Sequence, residues 1–415
     1  MNKVPLEVVE QIIDHIPSGS HHLNGSIHPG SLDCLRAASM VCSAFRVPCQ
    51  KKMLSTIYLE SQCNKPRASH YPSQRLWHLF QLSPKLASYV RAIHIRDDEC
   101  CGGRTFWLDE DEDLPKVLRL VAQQNSVRYL ALDLCRRSQI QREARDAIFA
   151  ICCTESLTCL KLTNAPICIV DWCGPSLKEL EIKHATAQCW EQPFKTPSKG
   201  SLKLLNCLSI SDPFNHGSDS VITHLLERSS VGQLCEVRKL GIQVTRDGPP
   251  FSRELLHRFL VDCACSLEHL TVDVLFDTVA DGPQSSTLAD ISVFAHMSRL
   301  NLVIRDPPSR AANPTSSAAL CPLLTFSLGH IQLDTICIVV KEEKDTTRGQ
   351  WPAYWRKLDG TLSNRLRFPN LKNISIKIQQ CMQDRPRDYR EEVEPYLPKL
   401  RKEGILRFSP VEGPG

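Results

Sequence analysis

The chain has 415 residues, enough for roughly two to four domains. Hydrophobic residues make up 42% and charged residues 23%, which is ordinary globular usage and excludes a collagen-like or largely disordered chain. The formal net charge is +4, from 50 basic and 46 acidic side chains; so even a balance gives no reason to expect a nucleic-acid partner.

No run of about 18 apolar residues occurs, so no membrane span and no membrane partner is expected. The opening MNKVPLEVVEQIIDHIP mixes charged with apolar residues and does not read as a secretory signal. Twenty cysteines are then expected as reduced thiols in a cytoplasmic and/or nuclear protein, most of them serving as small apolar residues. No Cys-x-x-Cys knuckle occurs, so no metal site or cofactor is expected.

In chain order, Lys3–Ile16 reads as a first helix with Pro5 at its start and an apolar stripe of Leu6, Val9, Ile12, Ile13 and Ile16. A polar loop follows, carrying His21, His22 and His28. A second helix is expected from Leu32, Leu35, Ala38, Val41, Cys42 and Phe45, and a third, shorter one from Pro48 through Met53. The strings VPLEVVEQIIDHI and LRAASMVCSAFRVPCQKKMLSTIYL resemble an F-box, in the form that precedes leucine-rich repeats in many fungal proteins. The family's opening pattern is met by Val4, Pro5, Glu7, Val8, Val9 and Ile12, with Val4 in place of the usual leucine. The later pattern is met by Val41, Cys42, Ser43, Phe45 and Arg46.

The resemblance implies a small all-α module, residues 1–60, that docks on a Skp-type adaptor held by a cullin-RING ubiquitin ligase. It nominates Pro5, Leu6, Ile12, Ile13, Val41 and Phe45 as adaptor-facing or module-forming residues, without dividing the two roles. It also implies that the downstream region holds a protein substrate. The alternative is a helical cap on a repeat scaffold or inhibitor with no ligase role.

Beyond the module, one pattern recurs: apolar, two variable residues, apolar, one variable residue, apolar. Ten copies start at Val90, Val127, Leu157, Leu177, Leu205, Val237, Leu267, Met297, Leu333 and Leu371, and Leu54-Ile57-Leu59 is a candidate eleventh. Neighbouring copies lie about 20 to about 38 residues apart. The last two apolar positions of each copy are two apart, as on one face of a strand. Helices are expected between them over Gln74–Tyr89 (divided by Pro84), Leu114–Asn125, Arg142–Cys153, Asp219–Ser229, Ser252–Cys265, Ser286–Met297 and Pro352–Leu366. Asp219 and Ser252 are candidate N-caps.

The fold class expected is therefore α/β: a curved, leucine-rich-repeat-like solenoid over residues 61–408, with parallel strands on its concave face. Residues 409–415 are expected to be a disordered tail. The outward strand positions nominate His94, Arg96, Lys161, Glu181, Lys183, Asp273, Asn301 and Lys377 as substrate-binding residues. Segments such as SLTCLKL (Ser156–Leu162) and SLEHLTV (Ser266–Val272) match beyond their apolar positions.

No phosphate loop, zinc-protease motif or nucleophile elbow is present, and no enzymatic activity is expected. The acidic run Asp109–Asp113 reads as a solvated insertion, and the Pro/Ser/Ala-rich Asp306–Pro322 as a surface loop.

Overall fold

The computed structural model describes residues 5–16, 29–60, 71–97, 107–135, 140–185, 190, 202–211, 221–228, 234–244, 253–274, 294–305, 332–342, 351–366, 368–380 and 389–408. The loop histidines, the caps at Asp219 and Ser252, the loop Asp306–Pro322, most of the helix expected at Ser286–Met297, and the tail 409–415 lie outside these residues.

Three helices open the chain: α1 (Leu6–His15), α2 (Pro29–Val41) and α3 (Ser43–Leu54). The single helix expected from Leu32 through Phe45 is broken at Cys42, whose extended backbone (φ −161°, ψ 169°) separates α2 from α3. Phe45 therefore belongs to the third helix, and Pro48 sits inside it instead of opening it. Val9, Ile13, Leu35 and Cys49 form a buried cluster, with Ile16, Ala38, Phe45 and Met53 packed against it. Each fully buried aliphatic side chain here contributes about 1.5–3 kcal/mol. The Lys52 ammonium donates to the carbonyls of Ile13 (2.7 Å), Asp14 (3.0 Å) and Ile16 (2.7 Å), which ties α3 to the last turn of α1. A cation is favoured there because the carbonyls at the end of α1 carry the negative end of the helix dipole.

The strands are β1 (Thr56–Glu60), β2 (Ala92–Arg96), β3 (Tyr129–Asp133), β4 (Cys159–Thr163), β5 (Glu179–Lys183), β6 (Cys207–Ser211), β7 (Lys239–Val244), β8 (His269–Val274), β9 (Arg299–Arg305), β10 (Thr335–Glu342), β11 (Asn373–Gln380) and β12 (Leu406–Phe408). Their order in the sheet is the chain order. All ten repeat copies and the candidate eleventh fall on strands; β12 has no counterpart in the pattern.

The chain divides into two compact units. One comprises Met1–Glu181 and Ala185–Ser201, the other Ile182–His184 and Leu202–Pro414.

In the first unit, β1 to β4 pair in parallel, and the inward apolar residues stack in register: Ile57, Ile93, Leu130 and Leu160 in one row, Leu59, Ile95, Leu132 and Leu162 in the next. Between the strands come α4 (Pro72–Leu82), a 3-10 turn (Pro84–Tyr89), α5 (Trp107–Glu110), α6 (Leu114–Gln123), α7 (Arg142–Cys152) and a 3-10 turn (Ile167–Trp172). Pro84 divides the first of these segments as expected. The brief stretch between β4 and β5 has room only for the 3-10 turn. In the second unit, Leu208, Leu240, Leu270, Leu300, Ile336, Ile374 and Leu406 form one inward row, and the residues two further on form another. Helices α8 (Val221–Arg228), α9 (Arg253–Cys263), α10 (Trp351–Leu362), α11 (Tyr389–Val393) and α12 (Pro398–Lys402) belong here.

Consecutive repeats are joined by two recurring contacts. A carbonyl just before one strand accepts two amides from the next repeat: Arg91 accepts from Arg128 and Tyr129, Arg238 from Glu268 and His269, and Asp334 from Lys372 and Asn373. The serine before a repeat's first apolar residue donates to the first apolar residue of the preceding repeat: Ser126 to Val90 (2.8 Å), Ser156 to Val127 (2.7 Å), Ser266 to Val237 (3.1 Å). For Ser156 and Ser266 this is the physical reason that their segments match beyond the apolar positions.

Two buried carboxylates bond backbone amides at helix starts. Asp111 accepts from Ser73 Oγ and from the amides of Asp113 (3.1 Å) and Leu114 (3.1 Å) at the start of α6. The acidic run is thus no simple solvated insertion: Trp107, Leu108 and Asp111 are buried, and Glu110 accepts a hydrogen bond from Tyr71 (2.5 Å). Burial holds the Asp111 carboxyl above its usual range, against the pull of Ser73 and the two amides. Asp359 likewise accepts from the amides of Lys399 (3.2 Å) and Leu400 (3.0 Å) at α12.

Candidate functional site

Two surfaces bear the residues nominated from sequence: the helical module and the outward face of the strands.

On the module, packing separates roles that the sequence leaves joined. Ile13 is 2% exposed and belongs to the core, and Phe45 is half-buried against the same cluster. Ile12, one position earlier, is 49% exposed, because consecutive helical residues point about 100° apart. Val8, one turn before Ile12, is also exposed, as are Met40 and Val41 at the end of α2 and Val47 on α3. Val41 is 72% exposed. Pro5 is exposed ahead of α1, where its carbonyl accepts the amides of Val8 (3.1 Å) and Val9 (3.2 Å). Leu6 is the first residue of α1. Of the six nominees, Pro5, Ile12 and Val41 are therefore open to a partner, whereas Ile13 and Phe45 build the module.

On the first unit's strands, outward residues stand in register across the ladder. Tyr58 on β1 lies opposite His94 on β2, their rings stacked with centroids 4.5 Å apart, and the Tyr129 ring on β3 lies 5.0 Å from His94. Burial, helped by the Lys161 charge, lowers the His94 pKa to about 4, so its imidazole is neutral at physiological pH. Burial pushes the Tyr129 hydroxyl up to about 12, and the Tyr58 hydroxyl in the same direction. Beside the rings, Arg96 faces Asp133 (3.8 Å) and Lys161 faces Glu181 (3.2 Å). Four of the nominated residues, His94, Arg96, Lys161 and Glu181, therefore share a surface of rings and paired charges.

In the second unit, Lys183 lies on β5 and Lys377 on β11. Asn301 donates to Thr271 Oγ1 (3.3 Å) across β8 and β9. Asp273 is buried, and so less available to a partner than its outward register suggests. The first outward position of successive strands places Lys239, His269 and Arg299 directly opposite one another on β7, β8 and β9. The outward positions nominated from sequence include neither this row nor Tyr58 and Tyr129. The signal was present: each member of the row immediately precedes the middle apolar residue of its repeat.

Among the described residues, no cluster of His, Cys, Asp and Glu could hold a metal ion. No described helix is long and apolar enough to cross a membrane. Described cysteines such as Cys152 and Cys263 are buried free thiols; the hydrogen bond with Cys173 and then burial raise the Cys152 pKa, and burial raises that of Cys263, which makes both poor nucleophiles. No family model matches this chain, and no curated protein matches it significantly.

Proposed function

We propose that this chain is a non-enzymatic substrate-recognition subunit of a SKP-cullin-F-box type ubiquitin ligase. The helical module binds a Skp-type adaptor, and the strand face, on the concave side of a curved repeat array, binds a protein substrate. The observation that carries this reading is the split on α1 and α2. A closed core of Val9, Ile13, Leu35 and Cys49 leaves Val8, Ile12, Met40 and Val41 exposed, in a segment whose sequence resembles an F-box. Exposed aliphatic side chains of this kind are what a docked adaptor would cover.

The mechanism is proximity. A substrate held on the strand face meets the ligase's conjugating enzyme at high effective concentration, and no residue of this chain forms a covalent intermediate. Its cellular setting would be cytoplasmic and/or nuclear.

Co-purification with a Skp-type adaptor tests the proposal. The parent chain is expected to retain the adaptor, and Ile12→Asp with Val41→Asp to lose it with no change in thermal midpoint, because both side chains lie outside the core. Failure of the parent chain to bind would leave the scaffold reading in its place.

A further inference from the structure

We propose that the outward face of β7, β8 and β9 binds an acidic, carboxylate-rich peptide segment through Lys239, His269 and Arg299. The inference deepens the proposed function by naming the chemistry that the repeat face holds, and it rests on the strand-face part of that reading.

Parallel register sets His269 between Lys239 and Arg299. Strand spacing makes the steps about 4.8 Å each. Lys239 and Arg299 therefore stand two strand steps, about 10 Å, apart, with the His269 imidazole between them. Lys239 and Arg299 are exposed, and neither makes an ion pair or side-chain hydrogen bond with a described residue. Of the acidic groups nearby, Glu268 pairs with Arg238 at 3.4 Å, and both Glu268 and Asp334 act on His269. Burial first, then Arg299 and Lys239, lowers the His269 pKa, and the opposing pull of Glu268 and Asp334 does not reverse it. Two exposed cations that make no ion pair with a described residue are suited to carboxylates arriving from outside.

The adjoining row suits a peptide. Ser209, Gly241, Thr271 and Asn301 lie in register beside the cations. They offer hydroxyl and amide groups for hydrogen bonds. Gly241 keeps the surface low at its centre, where a Cβ would come within 3.2 Å of Ser209 Oγ. An extended chain laid along this row can hydrogen-bond to it and hold its carboxylates over the cations.

Fluorescence anisotropy of the full chain with a labelled hexaglutamate peptide, at about 50 mM salt to limit screening, tests this. Hexaglutamate is expected to bind and hexaglutamine not to. Lys239→Gln with Arg299→Gln is expected to weaken binding by about tenfold or more. Lys357→Gln with Lys399→Gln, exposed on α10 and α12, makes the same change in net charge and is expected to leave binding within about twofold. Equal effects of the two double variants, or none from the first, would overturn the proposal. So would a short single-stranded oligonucleotide that outcompetes hexaglutamate through Lys239 and Arg299. Adaptor co-purification is read in parallel on the first double variant. Its loss in the parent chain would remove the ligase reading and leave the peptide result standing.

Discussion

His94 shows how one strand position can carry both packing and electrostatics. Its ring lies between Tyr58 and Tyr129, and each aromatic pair contributes about 0.5–1.5 kcal/mol beyond the area it buries. Burial among these rings, with Lys161 nearby, favours the neutral imidazole. The sign of the pH effect follows. The unfolded chain takes up this proton near the ordinary value of 6.5, whereas the folded chain resists it until about pH 4. The contribution to stability is therefore complete above pH 6.5 and is lost as pH falls towards 4. Urea midpoints at pH 7 and pH 5 are expected to differ more for the parent chain than for His94→Gln. Equal pH dependence in the two proteins would show that His94 carries no such linkage.

Among elements, the repeat was legible because its inward residues obey a period of two and nothing competes with them. Ile93 and Ile95, or Leu270 and Val272, can be read straight from the sequence as one buried face. The break at Cys42 was not legible, since Val41, Cys42 and Phe45 continue a helical spacing that only the backbone interrupts. Nor was the burial of Asp111, whose bond from Ser73 comes from a residue 38 positions earlier in the chain. The division of Ile12 from Ile13 likewise needed the packing of α1 on its neighbours.

The serine contacts give the repeat a second, polar signature. Ser156→Ala and Ser266→Ala each remove a bond between consecutive repeats and leave a backbone carbonyl without that donor. Each is expected to cost about 1–2 kcal/mol in denaturant titration. A cost of a few tenths, as at an exposed serine, would mean that the contact does not join the repeats energetically.

For the molecule as a whole, a near-neutral total charge conceals a local arrangement. Charges pair across the first unit's strands, at Arg96 with Asp133 and Lys161 with Glu181, whereas Lys239 and Arg299 in the second make no ion pair with a described residue. Composition averages the two patterns, and for that reason the overall balance gives no hint of the basic row. The helical module contributes a third surface, made of aliphatic side chains left outside its own core. Among the described residues, one chain thus carries exposed aliphatic side chains on its helical module, a surface of rings and paired charges, and a basic row.

Amide hydrogen exchange of the full chain, with and without a purified Skp-type adaptor, tests the central claim most directly. Added protection is expected over α1 and the last turn of α2, around Val8, Ile12, Met40 and Val41, with exchange in β7 to β9 unchanged. Protection confined to the strands, or none anywhere at saturating adaptor, would contradict the account.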